Sequence, residues 1–164
     1  MKLYSPSNNF KLDKVVFASR ILGKKVEHIE VPFDHKHKQF IAQYPNFSLP
    51  ALNVKEAEYV FGADSIVLAL FEEKLSAMDG FEKAEVYQWL EVGEREVENS
   101  TGVIVVNKEK IGELTEDKVT KAKENVLKAM KTVDDRLKLR TYLVGHSISP
   151  ADIALFFNFR VVKE

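Results

Sequence analysis

Three short stretches of this sequence carry groups that could bind or activate a ligand. Leu49 precedes Pro50 at the start of an apolar run, and a cis bond there would present the Leu49 N–H and C=O to an extended ligand. Asp64 and Ser65 precede a predicted helix, whose first amide groups favour a carboxylate. Ser7 precedes another predicted helix and offers a hydroxyl group. The local sequence alone favours structural roles instead, a trans bond at a strand start and two helix caps.

The other side chains with suitable chemistry are interpreted as solvent-exposed groups. His35 and His37 could supply two metal ligands, but no third ligand accompanies them at a suitable spacing. His28 and His146 lack an evident catalytic partner. The carboxylates of Glu94, Glu96 and Glu98 are interpreted as an exposed helix face. The sequence therefore predicts no metal site.

The composition restricts the class of protein. The 164 residues suffice for one domain or two small halves, and 24 Lys plus Arg against 25 Asp plus Glu give a net charge of −1. A direct nucleic-acid partner would require clustered cationic side chains, so none is expected. The absence of cysteine excludes disulfides and thiolate catalysis. No membrane-spanning run or signal peptide is recognised, which predicts a cytoplasmic protein without a membrane partner.

The first half of the chain, 1–75, has the element order of a thioredoxin-like domain. A strand at 2–5, an apolar-periodic helix ending near Gly23 and a strand at 26–31 form a βαβ unit, whose two strands should be parallel. Residues 33–44 are predicted as loop plus a short helix. Apolar runs at 51–54 and 59–61 then predict a hairpin, and a helix follows Ser65.

A linker at 76–82 leads to a second half, 83–164, that is predicted to be entirely helical. Val86, Trp89, Leu90, Gly93 and Val97 share one helical face. Apolar residues at three- and four-residue steps predict a long amphipathic helix over 113–136. The β-branched run at 103–106 fits either a strand or the connector of a helix.

A helix cap at Ser149 and Asp152 is the clearest local signal in the sequence. Pro150 suits the first helical position, and Asp152 follows the predicted N-cap residue Ser149 by three residues. We expect the Ser149 hydroxyl to accept from the Asp152 N–H and the carboxylate to reach back to the Ser149 N–H. The following residues are largely apolar, so this helix should be buried.

The order of these features resembles the glutathione-transferase fold. Within it, the chain is similar to the translation elongation factor 1-gamma family, and also to the glutathione-transferase-like domains of glutamyl-tRNA synthetases and synthetase-complex scaffold proteins. The matching stretches are 3–5, 40–45 with 49–52, 86–89, 136–145 and 149–152. The fold class is therefore expected to be an α/β thioredoxin-like N-terminal half plus an all-α C-terminal half. Because the family continues for one or two more helices, we expect a fragment or a truncated variant.

The resemblance implies where glutathione would bind if the site were intact. It implies a cis Leu49–Pro50 bond whose Leu49 backbone pairs with glutathione, and a hydroxyl such as that of Ser7 that lowers the thiol pKa. It also implies an acid–Ser pair at the start of the helix after the hairpin. When Ile66 is placed in the family pattern by its ungapped distance to Trp89, Gly62 and Ala63 occupy the positions of that pair. A shift of two residues places Asp64 and Ser65 there instead. We expect the ungapped match, and hence a damaged glutathione site without a cofactor.

The function expected from the resemblance is a non-catalytic protein-interaction domain of the translation machinery. Its partners would be protein subunits of the elongation factor 1 or synthetase complex, in a homo- or hetero-oligomer. Two surfaces are candidates: the helix from Asp64 with the helix through Trp89, or the face around Pro150 and Arg160. The alternative is an active glutathione transferase with Ser7 as the catalytic hydroxyl.

Overall fold

The computed structural model describes residues 1–7, 9–31, 49–55, 58–108, 110 and 113–163. The chain divides into two compact units, Met1–Ala77 and Met78–Glu164. The boundary between them lies inside the predicted linker, although a helix ends at Ala77 and the next begins at Gly80. The helix and loop predicted for 33–44 lie outside the described residues.

The first unit is built on a four-stranded sheet. Its strands are β1 (Lys2–Ser5), β2 (Glu27–Glu30), β3 (Ala51–Lys55) and β4 (Glu58–Phe61), in the order β2-β1-β3-β4. β1 is parallel to β2 and antiparallel to β3, which pairs antiparallel with β4. Leu3 lies opposite Leu52 in the register, and both side chains are buried. The predicted βαβ unit and proline-led hairpin are confirmed.

Among the described residues of the first unit, three helices accompany this sheet. They are α1 (Phe10–Ile21), α2 (Ala63–Leu70) and α3 (Glu72–Ala77). Gly23 follows α1 with φ +63°, a conformation that glycine adopts at little cost, so the predicted helix stop is confirmed. α1 packs against α2, and Ile66, Val67 and Leu70 of α2 contribute fully buried side chains.

Within the described residues, all regular secondary structure of the second unit is helical. Its elements are α4 (Gly80–Val92), a π-helical segment (Gly93–Glu98), α5 (Asn99–Lys108), α6 (Glu116–Leu137) and α7 (Pro150–Lys163). The ambiguous β-branched run at 103–106 lies within α5, which packs along α6. Helix packing here overrides the weak intrinsic preference of β-branched residues for strands.

The long helix α6 begins three residues later than its apolar pattern predicts. Thr115 is its N-cap residue, with extended backbone angles. Val119, Ala122, Val126 and Ala129 form its buried face, at the three- and four-residue steps seen in the sequence. Among the described residues, no helix is long and apolar enough to cross a membrane.

Candidate functional site

The Leu49–Pro50 peptide bond is cis, as the fold resemblance predicts and the local sequence does not. Pro50 is buried and directly precedes β3, while Leu49 is half-buried. The Pro50 carbonyl accepts a hydrogen bond of 2.9 Å from the Gly62 N–H. This hydrogen bond therefore connects the start of the hairpin to the residue that precedes α2.

The start of α2 carries neither a carboxylate nor a hydroxyl at the ungapped match. Gly62 is the N-cap residue, has φ +83° and makes no side-chain cap hydrogen bond, and Ala63 is the first helical residue. The alternative interpretation of Asp64 and Ser65 as the cap of this helix is wrong, because the helix begins before both residues. At these two positions the helix therefore offers a ligand backbone amides without side-chain groups, and Asp64 and Ser65 follow within its first turn.

Asp64 is engaged elsewhere, in an ion pair with Lys14 of α1. Lys14 Nζ lies 2.7 Å from Asp64 Oδ1, and the Lys14 side chain is 0% exposed whereas that of Asp64 is 24% exposed. A buried ammonium group requires a nearby counter-charge. The sequence analysis did not predict this pair. Lys14 lies four residues before Ala18 on the buried face of α1, and a lysine at such a position requires an acidic partner.

The two serine hydroxyls in the expected glutathione region are exposed. Asn9, not Ser7, is the N-cap residue of α1, and its side chain accepts from the Lys11 N–H at 3.0 Å. Neither Ser7 nor Ser65 makes a side-chain hydrogen bond within the part of the chain that the structure describes. Both hydroxyls are thus exposed to solvent, and no hydrogen bond to a described residue gives either of them a structural role.

The other groups near the end of β1 have structural contacts. The buried Ser5 hydroxyl donates to the Pro6 carbonyl at 3.1 Å. The Tyr4 ring packs edge-on against Tyr59 with ring centroids 6.1 Å apart. His28, for which the sequence offered no partner, places Nε2 2.9 Å from the Ser5 carbonyl oxygen.

The predicted cap of the helix at Pro150 is present with one change. Asp152 Oδ2 accepts from the Ser149 N–H at 2.9 Å, as predicted. The Ser149 hydroxyl donates to the same oxygen at 2.6 Å, and within the described residues the predicted bond from the Asp152 N–H to this hydroxyl is not formed. Asp152 Oδ1 also accepts from the Leu143 N–H at 2.8 Å, a bond that no local pattern indicates.

The residues named for the two interaction surfaces differ in exposure. Trp89 is 6% exposed, and the exposed aromatic side chains of its helix are Phe81 and Tyr87. Arg160 is exposed on α7, one turn after the exposed Phe156. Within the described residues no group of three or more His, Asp or Glu side chains is arranged to hold a metal, and His35 and His37 lie outside them.

Comparisons with known proteins agree with this architecture. Residues 97–164 match the family model of the glutathione S-transferase C-terminal domain. Elongation factor 1-gamma of Artemia salina is 29% identical over 158 residues, covering 94% of this chain and 36% of that protein. Elongation factor 1-gamma of Drosophila melanogaster is 25% identical over 158 residues with the same coverage. The chain thus spans 36% of the length of these relatives.

Solved structures resemble the chain over nearly its whole length. The crystal structure of a glutathione S-transferase from Pseudomonas fluorescens has a TM-score of 0.84 and 22% identity to it, covering 99% of this chain and 84% of that one. At this identity the likeness shows a common fold and carries no statement about activity. The fold class expected from the sequence, a thioredoxin-like half followed by a helical half, is confirmed.

Proposed function

We propose that this chain, which has the glutathione-transferase fold, is a protein-interaction domain of the translation machinery. The observation that carries the proposal is its similarity to elongation factor 1-gamma over 94% of its length. Those relatives are translation factors by name, and a domain of the same kind would bind protein subunits of the elongation factor 1 complex in the cytoplasm. A synthetase complex is the second candidate assembly, because the sequence also resembles the corresponding synthetase domains.

The start of α2 supports a role other than glutathione chemistry. A glutathione site of the expected kind needs an acid–Ser pair there, and Gly62 and Ala63 supply neither side chain. The carboxylate of Asp64, the next residue of the helix, already compensates the buried Lys14. Recruiting Asp64 to a ligand would weaken that ion pair, so glutathione binding would compete with the stability of the first unit.

A second candidate function, glutathione transfer, is favoured by the cis Leu49–Pro50 bond and by the exposed Ser7 hydroxyl. A serine hydroxyl that donates to the glutathione sulfur would lower the thiol pKa and favour the nucleophilic thiolate. This candidate uses the backbone of Leu49 but still lacks the pair at α2.

The test measures the two candidates separately on the purified chain. We expect the chain to co-elute in gel filtration with a purified subunit of the elongation factor 1 complex. We also expect no retention on immobilised glutathione and no turnover of a generic electrophile with glutathione. Failure to bind every elongation factor 1 subunit, with binding to a synthetase-complex subunit instead, would transfer the proposal to that assembly.

The outcome that contradicts the proposal is equally concrete. Strong retention on glutathione, together with turnover that Ser7→Ala abolishes, would identify an active transferase. Ser76→Ala is the matched control, because Ser76 is also an exposed serine of the first unit and lies outside every position expected to bind glutathione.

A further inference from the structure

The π-helical segment interrupts a helical run of the second unit that extends over 80–108. At its start, the Gly93 N–H still bonds to the Trp89 carbonyl four residues back, as in an α-helix. At its end, the Asn99 N–H bonds to the Glu94 carbonyl, five residues back. π-helical turns inside α-helices are rare and frequently lie at functional sites. The change of hydrogen-bond pattern therefore calls for a contact that favours it.

The side chain of Asn158 contacts the run at the start of this segment. Asn158 is fully buried on α7, and its Nδ2 donates to the Gly93 carbonyl at 3.0 Å. Within the part of the chain that the structure describes, its Oδ1 has no hydrogen-bond partner. A buried amide that satisfies only one of its two polar atoms costs stability. The bond to Gly93 is therefore the contact through which Asn158 acts on the neighbouring helix.

The absence of a side chain at Gly93 permits this close approach. A Cβ atom there would lie 3.3 Å from Asn158 Nδ2 and 3.4 Å from Leu155 Cδ2. Gly93 is also the residue whose N–H makes the last α-helical hydrogen bond of α4. The polar contact with α7 thus coincides with the residue at which the hydrogen-bond pattern changes.

The spacing of buried residues along the run fits an uninterrupted α-helix instead. These residues follow one another at steps of three and four, and they are Val86, Leu90, Gly93, Val97 and Thr101. In an unbroken α-helix such positions form one stripe that faces the core. The local spacing therefore favours a continuous α-helix, whereas the contact with Asn158 favours the π-helical segment.

The helix α5 can pack in more than one rotation, because apolar side chains surround it. Val103, Ile104, Val105 and Val106 are consecutive, and all four are half-buried. Consecutive residues of an α-helix point about 100° apart, so these four side chains cover most of its circumference. A rotation of α5 by one residue would still direct an apolar side chain towards α6. Both hydrogen-bond patterns are thus compatible with a packed α5.

We propose that Asn158 is the latch of a register switch in the second unit. While its Nδ2 binds the Gly93 carbonyl, the run keeps the π-helical segment. When this bond opens, the Gly93 carbonyl accepts from the Val97 N–H, and α4 and α5 join into one α-helix. The two states differ by a rotation of α5 by about 100° and a shift of about 1.5 Å relative to α4. The switch therefore controls which side chains of α5 are presented to solvent.

The latch is tested on the full chain, without protein partners or glutathione, so its outcome is independent of the proposed function. Scalar couplings across hydrogen bonds, measured by NMR on the isotope-labelled 164-residue chain, identify the carbonyl to which each amide bonds. In the original chain we expect the Asn99 nitrogen to couple to the Glu94 carbonyl carbon. In Asn158→Leu, which keeps a similar side-chain size and removes the donor, the coupling should move to the Arg95 carbonyl. A mere loss of stability would not transfer the coupling from one carbonyl to another.

Asn125→Leu is the matched control. Asn125 is also a partly buried asparagine that contacts the run, with Nδ2 3.5 Å from Ser100 Oγ, beyond the π-helical segment. This variant should keep the coupling between Asn99 and Glu94. Far-UV circular dichroism checks that each variant folds, and Asn158→Ala removes the same donor without added bulk if leucine does not fit on α7.

Relaxation dispersion on the original chain tests whether the second register is populated. We expect exchange on the microsecond-to-millisecond timescale for the amides of 93–99 and for the side-chain amide of Asn158. This exchange should vanish for 93–99 in Asn158→Leu, because one register then remains. A coupling to Glu94 that persists in both Asn158 variants, a coupling to Arg95 in Asn125→Leu, or an original chain without exchange in 93–99 would each overturn the proposal.

Discussion

At the scale of single residues, the Asp152 carboxylate organises the start of α7. It accepts three hydrogen bonds, from the N–H and the hydroxyl of Ser149 and from the N–H of Leu143. Two of these bonds satisfy the cap of the helix, whereas the third fixes the preceding loop. Leu143 and Ser149 are both buried, so water is poorly placed to replace the carboxylate.

We therefore predict that Asp152→Ala lowers the free energy of unfolding by about 3 kcal/mol, because it leaves buried donors without an acceptor. Ser149→Ala removes one bond to the carboxylate and should cost about 1 kcal/mol. Urea denaturation followed by circular dichroism measures both values. Equal costs for the two variants would show that the bonds from the Leu143 N–H and the Ser149 N–H contribute nothing.

Asp135→Ala is the matched control for the loss of a carboxylate. Asp135 accepts a hydrogen bond of 2.6 Å from Lys138, and this bond together with the charges of Lys131 and Lys138 lowers the pKa of Asp135. A lowered pKa contributes stability at neutral pH that is lost as the pH falls through the acidic range. Because Asp135 is solvent-exposed, we expect Asp135→Ala to leave the urea midpoint nearly unchanged at neutral pH.

The ion pair between Lys14 and Asp64 argues against a role of the Asp64 carboxylate in binding glutathione. The same carboxylate that a two-residue shift would assign to glutathione lies 2.7 Å from a fully buried ammonium group. Removing one partner of a buried pair usually costs more than the pair contributes, because a charge is left uncompensated. Asp64 is thus better explained by Lys14 than by a ligand.

At the scale of elements, the contact of the π-helical segment with α7 depends on Gly93. A Cβ atom on Gly93 would lie 3.3 Å from Asn158 Nδ2 and 3.4 Å from Leu155 Cδ2. Asn158 is fully buried, and its Nδ2 donates to the Gly93 carbonyl at 3.0 Å. The neighbours therefore have little freedom to move away.

We predict that Gly93→Ala lowers the free energy of unfolding by about 1–2 kcal/mol through overpacking. Gly102→Ala is the control in the same helical run, since a Cβ there meets nothing within 4 Å. Alanine is the better helix former, so this control should raise stability by about 0.5–1 kcal/mol. Changes of opposite sign in the free energy of unfolding of the two variants, measured by thermal or urea unfolding, would support the close contact at Gly93. An increase in stability in both variants would refute it.

At the scale of the whole molecule, the near-balance of charge argues against direct nucleic-acid binding. The net charge is −1, with 24 basic and 25 acidic side chains. Phosphate binding requires several clustered cations, and each contact adds to the salt dependence.

We predict that the chain elutes from heparin and from immobilised duplex DNA below about 0.15 M salt, where electrostatic screening is still incomplete. The positive control is the double variant Glu94→Lys/Glu96→Lys, which places three cations in a row with Arg95 on an exposed segment. It should elute later than the original chain. Retention of the original chain at higher salt would contradict the prediction.

Local patterns in the sequence were sufficient for the order and type of most elements. The βαβ unit, the hairpin, the long amphipathic α6 and the cap at Ser149 follow from apolar spacing and from residues with restricted backbone angles. These signals act over a few residues, so they survive in a single sequence. The same order of elements led to the fold, and through the fold to the cis bond at Pro50.

Tertiary structure decided the features that join residues distant in sequence. Lys14 and Asp64 are 50 residues apart, and the helix at 103–106 depends on packing against α6. A surface cavity between the first turn of α4 and the loop after α6 likewise exists only when these two segments pack together. Spacing along the chain cannot encode these contacts, because they arise from how the elements pack. The sequence alone thus determined which elements form, whereas packing decided which charges are buried and which groups pair with them.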